Sequence, residues 1–302
     1  MTHAVRTADG RRLLAESLGA LDGSAVFLLH GTPGGRLGPR PRGIHLYRLG
    51  IRLISYDRPG YGGSDRHRGR IVADAARDVA AIADELGIER FGVIGRSGGG
   101  PHALACAALL GDRVVRAAAL ASLAPCDAKG LDWCAGMADS NVQAYHDGEE
   151  NLEAELAKRA GEVRGDPESL LRFLWPELGK NDRKVFGDVA LRRLIAENHA
   201  EALRDNAWGW VDDVLAMRNP WGFELAAIAA PVKLWHGGDD VFSPASHTHW
   251  LGRQIPGAKV EVQPGAAHLT AVKILPSILK WVAGTEGSRP RVAEPAAATS
   301  RR

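Results

Sequence analysis

The sequence predicts an α/β chain, with a mostly parallel sheet, helices on both faces and one long helical insertion. Three observations predict it. Continuous apolar runs ending in glycines alternate with segments of helical spacing, as buried parallel strands alternate with crossover helices. The alternation stops between about Cys126 and Ala230, where helical periodicity continues without a convincing strand pattern. Strand pattern then resumes at Val232 and again at Lys259.

In chain order, residues 11–19 read as an early strand, and residues 25–30 form an apolar run that ends in glycines. Residues 52–56 form another run, stopped by Asp57-Arg58-Pro59-Gly60. Residues 72–87 place Val72, Ala76, Val79, Ile82, Ala83 and Leu86 on one helical face, with Gly87 as the stop. Residues 91–96 are apolar and run into a Gly-rich turn followed by an Ala/Leu-rich helical pattern, and residues 117–123 read as a further core strand. After the insertion come strands at 232–236 and 259–262, with amphipathic helices at 245–254 and 270–283. The expected division is therefore a body of residues 1–125 and 231–283, a helical insertion of 126–230, and a disordered tail of 284–302 rich in Gly, Ser, Pro, Ala and Arg.

Composition narrows the classes. The 302 residues are 45% hydrophobic and 25% charged, with a net charge of +2, which gives no reason to expect nucleic acid. No apolar run is long enough to cross a membrane, and the N-terminus lacks a signal-like apolar region. Cys106, Cys126 and Cys134 have no zinc spacing and read as inert thiols of a reducing, cytoplasmic compartment. No cofactor or metal is expected, and the assembly expected is a monomer or homodimer. Charge is uneven: residues 126–230 hold 20 acidic and 12 basic residues, a net of −8, and the remainder carries +10. An acidic insertion attracted to a basic body is one reading. Solvated helix faces plus a basic tail is the one preferred, because exposed charges are screened.

The chemistry centres on Gly95-Arg96-Ser97-Gly98-Gly99. A strand before and a helix after this Gly-x-Ser-x-Gly give the form of a nucleophile elbow, with Ser97 at the tip and the Gly98 N–H aimed at an oxyanion. A serine needs a base, and the base needs a carboxylate to hold its tautomer. Asp240, in His236-Gly237-Gly238-Asp239-Asp240, and His268, in Gly265-Ala266-Ala267-His268, follow predicted strand ends. His30-Gly31-Thr32-Pro33-Gly34-Gly35 follows the strand at 25–29 and offers the Thr32 N–H as a second oxyanion donor.

Together, His30–Gly34, Asp57-Arg58-Pro59-Gly60-Tyr61-Gly62-Gly63-Ser64, the elbow, the late Gly-x-x-Asp and the Gly-x-x-His resemble the α/β-hydrolase superfamily. The resemblance spans the chain to about residue 283 and leans toward the branch of proline iminopeptidases, small esterases and lactonases. It implies an eight-stranded, mostly parallel sheet with a helical cap inserted after the sixth strand. It also implies a cofactor-free serine hydrolase acting on a small-molecule ester or lactone, with amide or carbon–carbon hydrolysis, or ligand binding without turnover, as alternatives. The family pattern selects Asp240 over Asp239.

Other residues compete. Asp127 is a rival acid; among rival bases, His30 and His236 read as structural at strand ends, His102 as packed in a helix, and His247 and His249 as facing away on a helix. Arg96 pairs with a carboxylate beneath the elbow or packs its stem. Arg36, Arg40 and Arg42 read as a solvated loop, with anion binding as the sharper alternative. Trp208 and Trp210 are candidate pocket residues in the insertion. Glu149, Glu150, Glu153 and Glu155 are the carboxylates an iminopeptidase would need to hold a substrate amine.

Overall fold

The computed structural model describes residues 1–285. The first half of the chain lays down β1 (Thr2–Arg6), β2 (Arg12–Gly19), β3 (Ser24–Leu29), α1 (Gly43–Arg48), β4 (Ile51–Tyr56), α2 (Asp74–Glu85), β5 (Phe91–Arg96), α3 (Gly99–Leu109) and β6 (Val114–Leu120). Six helices follow: α4 (Asp139–His146), α5 (Glu149–Gly165), α6 (Ser169–Leu174), α7 (Lys180–Phe186), α8 (Val189–Ala202) and α9 (Trp208–Arg218). The sheet resumes with β7 (Val232–Gly237), α10 (Ala245–Gln254), β8 (Lys259–Gln263) and α11 (Ala271–Val282).

The eight strands form one sheet in the order β1-β2-β4-β3-β5-β6-β7-β8. Only the β1–β2 and β2–β4 pairs are antiparallel. Side chains alternate across the sheet, as a period of two requires. Phe27, Leu29, Val93, Ala117 and Ala119 face a core closed by α2, α3 and α10. Val26, Leu28, Ile94, Ala118 and Leu120 face the opposite core, closed by α1 and α11. Helices on both faces explain why the central strands read as unbroken apolar runs. β1 escaped the sequence reading because Val5 is its only buried residue. The short α1 escaped it because it sits in a Gly/Pro-broken stretch.

The inserted helices have their own core, with Leu152, Leu156, Ala160 and Val163 of α5 at helical spacing against Val211 and Val214 of α9. Tyr61 of the body enters the same cluster. Among the described residues, no helix is long and apolar enough to cross a membrane. The tail expected at 284–302 lies, from residue 286 onward, outside the described residues.

Candidate active site

β5 ends at Arg96 and α3 begins at Gly99, leaving two residues for the turn. Ser97 takes φ 53°, a left-handed conformation that side chains rarely adopt. Such closeness of strand and helix needs glycines. A Cβ on Gly95 would lie 2.0 Å from the Gly99 carbonyl oxygen, and one on Gly99 would lie 2.3 Å from that of Leu29. Ser97 is thereby lifted onto the wall of a cavity of about 270 Å³ between the sheet and the inserted helices.

Two further candidates meet at the C-terminal ends of β7 and β8. His268 Nδ1 lies 2.8 Å from Asp240 Oδ2, and the ring also lines the cavity. With Nδ1 donating to Asp240, Nε2 is the nitrogen left for other work. Asp240 is buried and accepts backbone N–H bonds from Phe242 (2.8 Å) and Ser243 (3.1 Å). Buried His236 lies 3.2 Å from the same carboxylate, with its Nδ1 2.6 Å from Thr248. Burial opposes ionisation of Asp240, but the two imidazoles outweigh it and hold the carboxyl well below its usual range. Burial likewise opposes a charged His268, yet Asp240, helped by Asp182, raises its pKa above 6.5. Asp239, by contrast, is exposed and accepts a bond from Asn181.

The loop after β3 comes against the elbow. A Cβ on Gly98 would lie 2.2 Å from Thr32 Oγ1 and 3.4 Å from the Thr32 nitrogen, so the two backbone segments are in contact. Both residues line the cavity. The Thr32 hydroxyl donates to Asp213 of α9 at 2.5 Å. Asp213 also accepts from Arg58 (2.5 and 3.2 Å), Arg70 (2.6 Å) and Tyr61 (2.9 Å). Arg58 in turn binds the carbonyl oxygens of His30 and Gly31. His30 completes the brace, with Nδ1 donating to Gly31 and Nε2 accepting from the Arg58 N–H at 3.1 Å. An acid of the insertion thus holds the loop that carries Thr32.

The sheet order, the elbow and the grouped loops at strand ends agree with the comparison of sequences, in which the alpha/beta hydrolase fold family matches residues 24–272. The chain belongs to the α/β-hydrolase family. It is 28% identical over 218 residues to a pimeloyl-[acyl-carrier protein] methyl ester esterase of Nitrosomonas europaea, covering 72% of this chain and 78% of the relative. A proline iminopeptidase of Xanthomonas citri is 32% identical over 108 residues, covering 35% of this chain and 34% of that one. Among solved structures, a malate-bound esterase from Thermogutta terrifontis superposes with a TM-score of 0.68 at 22% identity, over 94% of this chain and 99% of that one. The enol-lactonase of Burkholderia xenovorans superposes with a TM-score of 0.65 at 20% identity, over 95% and 99%.

Several candidates stand elsewhere in this α/β-hydrolase. Trp210 lines the cavity, but Trp208 does not: it is 50% exposed, and its ring lies under the Arg66 guanidinium at 5.3 Å. The two positions differ by about 200° around a helix, so they cannot share a face. Trp208 shares its face with Asp212, which also binds Arg66, at 2.9 Å. Asp127 is exposed and away from the cavity wall. Arg36 is engaged by Asp57 (2.6 Å) and Glu201 (2.9 Å), and Arg40 by Glu16 (3.0 Å). His247 is buried rather than turned outward, and bonds to the Ala124 N–H and the Trp133 carbonyl.

The reading of the charge asymmetry as solvated faces is corrected at the seam, while the basic tail it also invoked lies outside the described residues. Arg36–Glu201, Arg58–Asp213, Arg66–Asp212, Arg66–Glu153, Arg68–Glu149 and Arg70–Asp213 all join a basic residue of the body to an acid of the insertion. Asp212 and Asp213 are buried, so their attraction is not screened as surface charges are. Asp182 of α7, missed in the sequence, is also buried, and accepts the Leu269 N–H at 2.8 Å beside His268. Nothing local marked it, since its partner lies more than eighty residues away.

Proposed function

We propose that the chain is a serine hydrolase that cleaves a small-molecule ester or lactone through an acyl-enzyme, with the inserted helices as its cap. One observation carries the reading. Ser97, on its strained turn, shares a cavity with His268, whose Nδ1 is held by buried Asp240 at 2.8 Å. In this reading neutral His268 takes the Ser97 proton through Nε2 as Oγ attacks the carbonyl carbon. Asp240 holds the tautomer and stabilises the imidazolium. The backbone N–H groups of Thr32 and Gly98 receive the oxyanion, a contribution of about 10²–10³ in rate for a single donor. His268 then protonates the leaving oxygen and activates the water that cleaves the acyl-enzyme.

The esterase and enol-lactonase relatives support an ester or lactone. The iminopeptidase alternative has sequence similarity behind it, but none of its proposed glutamates is an unpaired acid on the cavity wall: Glu150 is exposed and away from it. Glu149 and Glu153 face body arginines, and Glu155, though on the cavity wall, is bound by Arg159 at 2.7 Å. The test is Ser97→Ala on p-nitrophenyl acetate, with fluorophosphonate labelling of the parent protein. Hydrolysis should fall by roughly 10⁴-fold or more, and labelling should map to Ser97. An unchanged rate, or labelling elsewhere, rejects the mechanism.

A further inference from the structure

Arg96 precedes Ser97 and lines the same cavity. Of the two expectations for it, a carboxylate partner beneath the elbow is not found among the described residues, and a packed stem leaves the guanidinium to be accounted for. Among the described residues its guanidinium meets no carboxylate and no hydrogen-bond acceptor. The neighbouring arginines all pair with carboxylates. Arg159 sits between Glu155 and Glu162, Arg58 and Arg70 share Asp213, and Arg36 is held by Asp57 and Glu201. Burial alone pulls the Arg96 pKa down to about 10, which leaves it cationic at neutral pH.

A second unsatisfied group stands beside it. His199 of α8 lines the cavity at 9% exposure, and its buried Nδ1 has no partner among the described residues. Burial, aided by the nearby Arg96 charge, lowers its pKa to about 4, so the ring is neutral at pH 7 and one nitrogen can donate. The rest of the adjoining wall is largely apolar, with Leu171, Phe186, Ile195 and Leu178. A half-buried cation facing a largely apolar wall without a partner is costly, and the His199 ring beside it can present Nε2–H, the nitrogen not sealed from the cavity, as a second donor of the kind a carboxylate accepts.

We propose that Arg96 and His199 form an anion-binding subsite next to Ser97, and that the substrate is an ester or lactone carrying a carboxylate. The inference rests on the serine-hydrolase reading and supplies its substrate class. The carboxylate takes the guanidinium as partner, the apolar wall takes the intervening methylenes, and the scissile carbonyl is presented to Ser97. The arginines of the Gly/Pro-rich loop, considered from sequence for anion binding, are displaced in that role by Arg96.

The test compares kcat/KM for two matched pairs. Mono-p-nitrophenyl glutarate against p-nitrophenyl valerate places the anion on the acyl side. p-Acetoxybenzoate against p-acetoxybenzamide places it on the alcohol side. The parent protein should favour the anionic member of at least one pair by roughly tenfold or more, the scale of one charge-assisted hydrogen bond. Arg96→Gln should collapse that ratio toward one, Arg96→Lys should keep part of it, and His199→Phe should reduce it. A parent protein that turns over both members of both pairs equally overturns the subsite and leaves the serine chemistry standing. So does Arg96→Gln if it slows both members in proportion. Calorimetry of Ser97→Ala with glutarate reads binding without turnover. Binding weakened about tenfold or more by adding Arg96→Gln supports the subsite, and no binding or unchanged binding rejects it. Failure of every ester together with absent fluorophosphonate labelling would instead reject the parent reading.

Discussion

Replacing Asp213 should unfold the protein more readily than replacing any carboxylate of the surface. Asp213 is 0% exposed and faces Arg58 and Arg70, themselves 1% and 2% exposed. Burial would push its carboxyl upward, but the two guanidiniums outweigh burial and hold it well below 3.8. In Asp213→Asn the shape survives and both arginines lose their counter-charge. Breaking a buried pair from one side costs about 3–5 kcal/mol, and the double pairing here argues against the low end. At roughly 2–4 °C per kcal/mol for a chain of this size, the melting temperature should fall by about 10 °C. Urea titration at neutral pH measures the free energy, and differential scanning calorimetry the melting shift.

The pH dependence sharpens this test. A carboxylate whose folded pKa is depressed contributes stability that is present above its unfolded value and is lost as pH falls through its folded value. The gap between parent and Asp213→Asn should therefore be constant from about pH 5 to 8 and narrow only below about pH 4. Because Thr32 Oγ1 also loses a charged acceptor, kcat should fall more than KM rises. A stability loss under about 1 kcal/mol would refute the reasoning, since it would mean that Arg58 and Arg70 find other compensation.

Two more predictions test the neighbourhood of Ser97 and His268. Asp182→Asn keeps an acceptor for the Leu269 N–H but removes a charge that helps raise the His268 pKa, so the acidic limb of the kcat/KM profile should move to lower pH. The Asp182 carboxyl is itself raised, chiefly by burial, so its ionisation opposes folding as pH rises through that value; the variant should melt higher than the parent at neutral pH and equally at strongly acid pH. Gly98→Ala would set a methyl group 2.2 Å from Thr32 Oγ1, a hydroxyl pinned by Asp213, and should lower kcat by roughly 10²-fold, as loss of an oxyanion donor does.

The central strands and the elbow were legible because their signals are local. A buried parallel strand is an apolar run whatever follows it, and the close approach of Gly95 to Gly99 lies within the motif itself. Asp240 and Asp239 could be ranked by spacing from neighbouring glycines and proline. What stayed hidden depends on phase or on distance along the chain. Trp208 and Trp210 look equivalent until α9 begins at Trp208 and fixes which way each points. The sequence period within α9 is weak because Val211, Val214, Ala216 and Met217 are buried on several sides. Asp213 meets Arg58 across 155 residues, and composition cannot separate a buried pair from two solvated charges. The unpartnered state of Arg96 is likewise a property of everything around it.

Helix α9 joins chemistry to specificity because its faces do different work. Gly209 and Asp213, one turn apart, face the body: the Gly209 N–H bonds to the Gly60 carbonyl at 3.0 Å, and a Cβ on Gly209 would meet the Tyr61 ring at 2.4 Å. Trp208 and Asp212 hold Arg66 on a second face. Trp210 and Val214 form the third and line the cavity. The contacts that dock α9 also brace the Thr32 loop, so this part of the insertion cannot swing away without loosening the proposed oxyanion site. The docking of α5 is looser. Its pairings with the body, Glu149 with Arg68 at 3.7 Å and Glu153 with Arg66 at 3.9 Å, are long and mostly exposed, whereas α7 and α8 are tied to the body by Asp182–Leu269 at 2.8 Å and Glu201–Arg36 at 2.9 Å. Helices α5–α8 supply most of the apolar lining, so in the proposed hydrolase substitutions there would change the fit of substrate while α9 keeps the Thr32 loop in place.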